Sequence, residues 1–382
     1  MKRDEKKLIK IKPSRYGIIF VILLVVLVLA KVGIPYVLPV DSGVTFKDNK
    51  MSHRESILLN FIDTKMTDSD GGIKTNYKNL ESEGDITKGH TVLSESEGMM
   101  LLYYLEKNDR DNFNKTLSFI ENYMRLPDKL ISWRVDGKQK TNTSATIDDL
   151  RIVKALLLAD ERWGGFNYRI KAISISRAIN EKLIENDLLS DFYDGYNKSN
   201  ITTLCYLDLP TIKYLSNIDY KWKKVYNESD KILKGGYISD NVPLYKKFYD
   251  RKTKSYDTDE DVDTLLSLIV LLNKAEVSED ISKSMDFLNA KFNKDGAIYA
   301  KYDSKTGNKK SNIESTSIYA LIVRVCEVTG NKELYNKALK KLESFQVMDK
   351  NSVLYGGFGD VKTLDVYSFD NLNALLAYRN EE

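Results

Sequence analysis

Beyond the first fifty residues, apolar positions recur along the chain at helical spacing. They predict helices over 51–65, 94–107, 110–124, 145–162, 168–187, 201–217, 220–234, 259–273, 278–292, 313–327, 331–346 and 366–379, with few convincing strands. The segments alternate in character. GMMLLYYL (98–105), IVKALLLA (152–159), TLLSLIVLL (264–272), IYALIVRVC (318–326) and NLNALLAY (371–378) are apolar nearly all round, whereas DNFNKTLSFIENYM (111–124) and KELYNKALKKLESF (332–345) are one-sided. A helix that is apolar on every side has to be buried, and a one-sided helix can cover it. The pattern therefore predicts an all-α (α/α)6 barrel of six inner and six outer helices over residues 51–382. One outer helix separates each inner helix from the next, so all inner N-termini open at one end, the rim.

The start of the chain reads differently. Tyr16 to Ala30 is an unbroken apolar run that continues past Lys31 through VGIPYVLPV, long enough to span a bilayer with Lys31 snorkelling to the interface. The expectation is a basic cytoplasmic tail (1–15), a transmembrane signal-anchor helix (16–38), a linker (39–50) and then the barrel. The first fifteen residues carry seven Lys or Arg against two acids, which places the N-terminus in the cytoplasm and the barrel outside the cell, on a single-pass membrane protein. A cleaved signal peptide is the alternative. The run is longer than an ordinary signal core, and Ala30-Lys31-Val32 is a poor cleavage site.

Charge and composition narrow the chemistry. The chain is +3, but without the basic tail and Lys31 it holds 50 basic and 53 acidic residues, so no basic face recommends nucleic acid as a partner. Cys205 and Cys326 each lie in an apolar helical stretch and read as buried thiols, with a single disulfide as the alternative. With only His53 and His90 present, neither a Ser-His-Asp triad nor a His-rich zinc site fits. Hydrolysis would run on carboxylates, without metal or cofactor.

Those carboxylates gather at the predicted rim. Glu95 and Glu97 open the second helix, Asp148 and Asp149 the fourth, and Asp257, Asp259, Glu260 and Asp261 the eighth, with Trp133 in a loop on the same side. Capping and the helix dipole also favour acids at such positions, which is the bland explanation for each one singly. Taken together, several carboxyls beside an aromatic face suit glycoside hydrolysis, in which one protonated carboxyl donates to the leaving oxygen and a second activates water. Tyr206, Asp240 and Tyr256 are further cleft-lining candidates. Trp163 and Trp222 read as core. The acids at 257–263 make a poor calcium loop, because Val262 stands where such a loop needs Gly.

At these residues the chain resembles glycoside hydrolase family 8, inverting endo-glucanases, chitosanases and xylanases on an (α/α)6 barrel. TVLSESEGMMLL is similar to the family's general-acid segment, Trp133 to a Trp in a short strand-like loop, and SATIDDLRIVKALLLADERWG (144–164) to its Ala-Thr-Asp-x-Asp helix. DYKWKKVYNESDKIL, GYISD and SYDTDED resemble its Asp-x-x-Trp helix, its Gly-Leu-Val-Pro-Asp turn and its catalytic-base segment. The resemblance implies Glu95 as general acid and Asp257 as general base. The candidates for substrate contact are Trp133, Asp148, Asp149, Glu97, Tyr256, Asp240 and Tyr206. Glu97 is the rival acid, because Ser96-Glu97-Gly98 also matches; two residues apart on a helix, the two glutamates face different ways.

Two positions depart from the family. Ile147 stands where the signature has its first Asp, and Glu260 near where many members carry Arg. The expected function is a membrane-tethered extracellular endo-glycosidase acting on a β-linked polysaccharide, such as an exopolysaccharide, beside an exopolysaccharide synthase complex. The alternative is an impaired polysaccharide-binding or guiding subunit of such a system. A lyase is more remote, since neither histidine lies in a suitable cluster.

Overall fold

In the computed structural model, residues 15–81 and 88–379 are described, with the side chains of 15 and 27–32 excepted. Thirteen helices are present among them: α1 (Arg15–Val37), α2 (His53–Phe61), α3 (Ser94–Glu106), α4 (Arg110–Phe119), α5 (Thr146–Trp163), α6 (Phe166–Lys182), α7 (Leu209–Ile218), α8 (Lys221–Gly235), α9 (Thr264–Glu276), α10 (Ser282–Asp295), α11 (Thr316–Thr329), α12 (Lys332–Phe345) and α13 (Ser368–Arg379). Helices α2 and α4 each end in a π-helical turn, over Ile62–Met66 and Ile120–Met124.

Helices α3, α5, α7, α9, α11 and α13 pack side by side and close into a ring, α13 returning to α3. Outside them α4 lies on α3, α6 on α5, α8 on α7, α12 on α11 and α2 on α13. Helix α10 joins the outer layer beside α12, where Lys337 binds Asn293 at 2.6 Å. The periodicity explains the layering. Helix α8 buries Trp222, Val225, Ser229, Ile232 and Leu233, one stripe at i, i+3 and i+4 spacing, whereas α3 buries all but its two end-region residues Glu95 and Glu106. Outermost contacts also close the ring: Arg379, at the end of α13, donates to Glu55 of α2 at 2.8 Å, with both side chains buried and Tyr103 also bonded to Glu55.

Several expected helices start later than the periodicity suggests, α7 and α9 by the most. Helix α7 begins at Leu209 because Ile201–Thr203 is a strand paired with Phe248–Asp250, followed by a 3₁₀ turn, the Asp208 cap and Pro210 in the first turn. Helix α9 begins at Thr264 because Asp261–Asp263 pairs with Lys301–Asp303, and Asp263 caps the helix through the Leu266 amide at 3.0 Å. The strands, all of two or three residues, lie in the loops around the rim.

A repeated device stitches this rim together. The first residue of an inner helix donates its N–H to a carbonyl of the following repeat: Ser94 to Trp133, Thr146 to Asp191, Thr264 to Ala300, and Ser368 back to Thr75. The fourth residue of the helix uses its side chain to accept an N–H from the segment leading in. Glu97 receives Ile73 at 2.8 Å, Asp149 receives Ile131 at 2.9 Å, Ser267 receives Tyr245 at 3.1 Å, Tyr319 receives Ile298 at 3.0 Å, and Asn371 receives Phe358 at 2.9 Å. Five different side chains thus satisfy one buried amide per repeat, which would otherwise cost about 1–3 kcal/mol unpaired.

Among the described residues no helix is long and apolar enough to cross a membrane. The expected span falls on α1, where the contiguous side-chain description covers only Tyr16–Val26 of the apolar run, and Ile18 to Val26 are exposed. The tail 1–14 lies outside the described residues. Past α1 the chain makes an extended strap, residues 40–49, across the end of the barrel opposite the rim. Asn217 binds the Val40 carbonyl at 2.9 Å, Lys47 pairs with Glu327 at 3.3 Å, and Arg162 pairs with Asp48 at 2.6 Å and covers the Phe46 ring. The two cysteines are free and buried.

Candidate active site

Glu95 is the second residue of α3, half-buried on the rim, and its carboxyl has no hydrogen-bond or ion-pair partner among the described residues. Burial first, and then the negative charge of Asp148, push its pKa up to about 7, against the opposing pull of Arg151. At neutral pH this carboxyl is therefore protonated in part, with no hydrogen-bond acceptor for that proton among the described residues.

Asp148 owes its place to α5, where it is the third residue. It accepts Ser94 Oγ at 2.8 Å on one oxygen and Arg151 Nη1 at 2.8 Å on the other. Burial raises its pKa, opposed by Arg151 and the Ser94 hydroxyl. The two donors on Asp148 oppose that burial and favour its ionised form, whereas Glu95 has no such donor, so Glu95 is the member of the pair that more readily holds a proton. Trp133 is half-buried beside them, its carbonyl receiving the Ser94 amide at 3.0 Å and its ring covered on one side by Arg134 at 4.9 Å.

A third acid, absent from the sequence reading, joins this cluster. Asp191 takes the Thr203 amide and hydroxyl, each at 2.6 Å, and burial raises its pKa to about 6. It neighbours Cys205 and the half-buried Tyr206, whose phenol is held neutral by burial and by Asp148, Cys205, Asp191 and Glu95. Asp191 sits in the LSDFYDGY loop, where nothing but an acid ahead of two aromatics marked it.

Other predicted residues are placed elsewhere. Glu97 and Asp149 are wholly buried and occupied by the Ile73 and Ile131 amides, each with its second oxygen unpaired in the protein interior, so they belong to the rim's stitching and not to its open face. Burial pushes the pKa of Glu97 up to about 8 and that of Asp149 well above its ordinary value. Tyr256 donates to the Ile232 carbonyl at 2.8 Å, tight against Gly235, where an added Cβ would stand 2.3 Å from the phenol oxygen. Asp240 is exposed and bound by Lys283 at 2.6 Å and by Tyr237 at 3.2 Å. Trp222 is core, and Trp163 packs edge-on against Phe113.

Asp257, a buried side chain, lines a pocket of about 60 Å³ ahead of α9, shared with Asp259, Asp261 and Asp263. Its Oδ2 accepts the Lys247 and Phe248 amides at 2.6 and 3.1 Å. Oδ1 receives only the Asp259 amide at 3.3 Å, with Lys246 at 3.9 Å. Asp263 stands closer to the helix start, one oxygen engaged in its cap and the other without a hydrogen-bond partner among the described residues. It also neighbours Cys205, which links this group of acids to the Asp191 side of the Glu95 cluster.

Below the rim, Ile147, Met99 and Arg151 line an axial cavity of about 70 Å³ that ends among Lys154, Glu276 and Arg324. That volume holds a few waters at most. A polymer would have to lie across the rim, since the axis gives it no passage. The arrangement thus offers a carboxyl of raised proton affinity, Glu95, near an indole, a phenol and further carboxylates. Among the described residues no cluster of three or more His, Cys, Asp or Glu is arranged to hold a metal ion.

The family model described as Glycosyl hydrolases family 8 matches residues 73–356. A solved structure titled as a novel alpha-amylase from Clostridium perfringens is 49% identical, covers 86% of this chain and 97% of its own, and superposes with a TM-score of 0.83. A cold-adapted family 8 xylanase in complex with substrate is 15% identical, with a TM-score of 0.63 and coverage of 90% and 95%, a likeness of fold. A Bacillus subtilis (strain 168) protein named "Putative lipoprotein YdaJ" is 27% identical over 328 residues, 84% of this chain and 85% of that one.

Proposed function

Because the chain belongs to glycosyl hydrolases family 8, and is thus a glycoside hydrolase, we propose that it cleaves a glucan at the outer face of the cell membrane, with Glu95 as the proton donor. The observation that carries the assignment is the Glu95 carboxyl itself: on the rim, half-buried, without a hydrogen-bond partner among the described residues and protonated in part at neutral pH. Asp148 raises its proton affinity, while Trp133 and Tyr206 offer flat faces to a sugar ring. The base comes from the acids ahead of α9. The motif points to Asp257, whose Oδ1 keeps a free lone pair; the unengaged oxygen of Asp263 makes it the rival. An inverting reaction needs room for a water between acid and base, a carboxyl separation of roughly 6.5–9.5 Å.

The 49%-identical Clostridium relative, titled an alpha-amylase, favours an α-linked glucan. A β-linked polysaccharide, including an exopolysaccharide made beside its synthase, is the second reading, favoured by the fold shared with the family 8 xylanase. The lipoprotein name of the Bacillus relative supports attachment to the membrane, and the apolar run behind a basic tail supports a single-pass anchor with the N-terminus inside, which would confine the enzyme to polymer at the cell surface.

The test offers the purified chain amylose, glycogen, carboxymethyl-cellulose, xylan and chitosan, reading new reducing ends and the anomer of the product by NMR. Release from α-glucan, inverted in anomer and lost in Glu95→Gln, is the expected result. Cleavage of β-linked polymers alone supports the second reading. Binding with no cleavage of any polymer supports a guiding subunit and overturns the enzyme assignment.

A further inference from the structure

The inner helices start at the rim, so the turns joining inner to outer helices all lie at the opposite end, the base. Helix α1 arrives there. Its last turn is fastened to α6 by Arg169, a buried side chain that donates to the Pro35 carbonyl at 3.1 Å and the Leu38 carbonyl at 2.7 Å while pairing with Asp160 at 2.6 Å. Arg177 meets Tyr36 both through its hydroxyl at 3.1 Å and across its ring. The helix is thus held by bonds on both sides of Val37.

The basal surface on either side of this junction has a particular chemistry. On the α5–α6 side, Phe166 and Ile170 are 65% and 47% exposed, one helical turn apart on one face. On the α7–α8 side, Tyr220 is 64% exposed, followed by exposed Lys221, Lys223 and Lys224. Apolar and aromatic side chains interleaved with lysines are what the boundary between lipid headgroups and acyl chains selects. Acids are present as well: Glu161 and Asp48 beside the α5–α6 turn, Asp48 paired with Arg162, and, farther round the base, Glu279 and Asp280 in the α9–α10 turn.

Resting on the membrane-anchor reading above, we propose that the basal sector between the α5–α6 and α7–α8 turns lies directly against an anionic lipid surface, so that the barrel stands on the membrane with its catalytic rim facing away. With α9 at 13 residues, the rim stands about 20 Å above that surface. The enzyme then reaches polymer in the wall layer and not glycolipid headgroups in its own leaflet.

The test uses the full chain reconstituted in vesicles containing anionic lipid, with a bimane probe at Phe166→Cys, Tyr220→Cys or, on the rim side, Tyr196→Cys, whose native side chain is 87% exposed. Cys205 and Cys326 are buried and stay unlabelled. A nitroxide lipid labelled near the headgroup should quench the probes at 166 and 220 by about twofold or more and leave the probe at 196 unchanged, because interfacial side chains sit within about 5–10 Å of the headgroup boundary. Replacing the anionic lipid by a neutral one should weaken quenching at 220. Equal quenching at all three positions, or none at any, on chains that float with the vesicles overturns the basal contact while leaving the anchor intact. Chains that fail to float overturn the anchor reading itself.

Discussion

Replacing Glu97 by Gln separates the structural carboxyl from the chemical one. Glu97 is wholly buried, one oxygen on the Ile73 amide and the other unpaired, and burial lifts its pKa from 4.5 to about 8. A carboxyl that holds its proton more tightly in the folded than in the unfolded chain favours folding at low pH, and that contribution drains away as pH rises from 4.5 towards about 8. At about 1.4 kcal/mol per pH unit, the loss across that window is at most about 5 kcal/mol, and water reaching the charge would reduce it to about 2–3. Glutamine keeps the acceptor for Ile73 and cannot ionise. Urea unfolding of the full chain in detergent, followed by tryptophan fluorescence at pH 5 and pH 8.5, should find the variant close to wild type at pH 5. At pH 8.5 the variant should be more stable by about 2–3 kcal/mol. Turnover at pH 6 should survive. A stability difference that does not change with pH refutes the linkage. A folded variant without activity makes Glu97, and not Glu95, the proton donor.

Further outcomes follow from the same geometry. Glu95→Gln should lower kcat by about 10²–10⁴-fold with little change in unfolding midpoint, checked by reducing-end release and thermal melts. In the wild type, activity should fall as pH rises through about 7, where Glu95 loses its proton. Asp148→Asn removes a charge that holds that proton, so the alkaline limb should move to lower pH by about one unit; a limb that stays or moves upward shows that Asp148 does not act on Glu95. Of Asp257→Asn and Asp263→Asn, the variant that loses turnover while keeping substrate affinity identifies the base. Arg379→Met should cost about 3–5 kcal/mol in urea unfolding, because it strands the buried Glu55 carboxylate beneath α13; a cost under 1 kcal/mol shows that the pair does not brace the ring closure.

The layering was legible in the chain because burial on all sides and burial on one side leave different periodicities. GMMLLYYL and KWKKVYNESDKIL could hardly exchange roles. Acids at inner-helix N-termini were legible too, as was the segment holding Glu95. What one-dimensional order could not distinguish was which acid of each pair faces the other pair across the rim and which is taken up by a backbone amide. Glu95 and Glu97, or Asp148 and Asp149, are near neighbours of the same type, and only the approach of the Ile73 and Ile131 amides assigns the second of each pair to the interior.

Asp191 went unnoticed for the converse reason. Its loop carries no helical pattern, and it reaches the cluster only because Thr203 and the short strands of the rim bring the third repeat beside the second. Composition and periodicity by themselves determined that this is a two-layered helical barrel behind an apolar N-terminal run, since hydrophobic burial depends on local pattern. The proton affinity of Glu95, the structural use of Glu97 and the direction in which the rim faces depend on distances between residues far apart in the chain, and those exist only once the ring has closed.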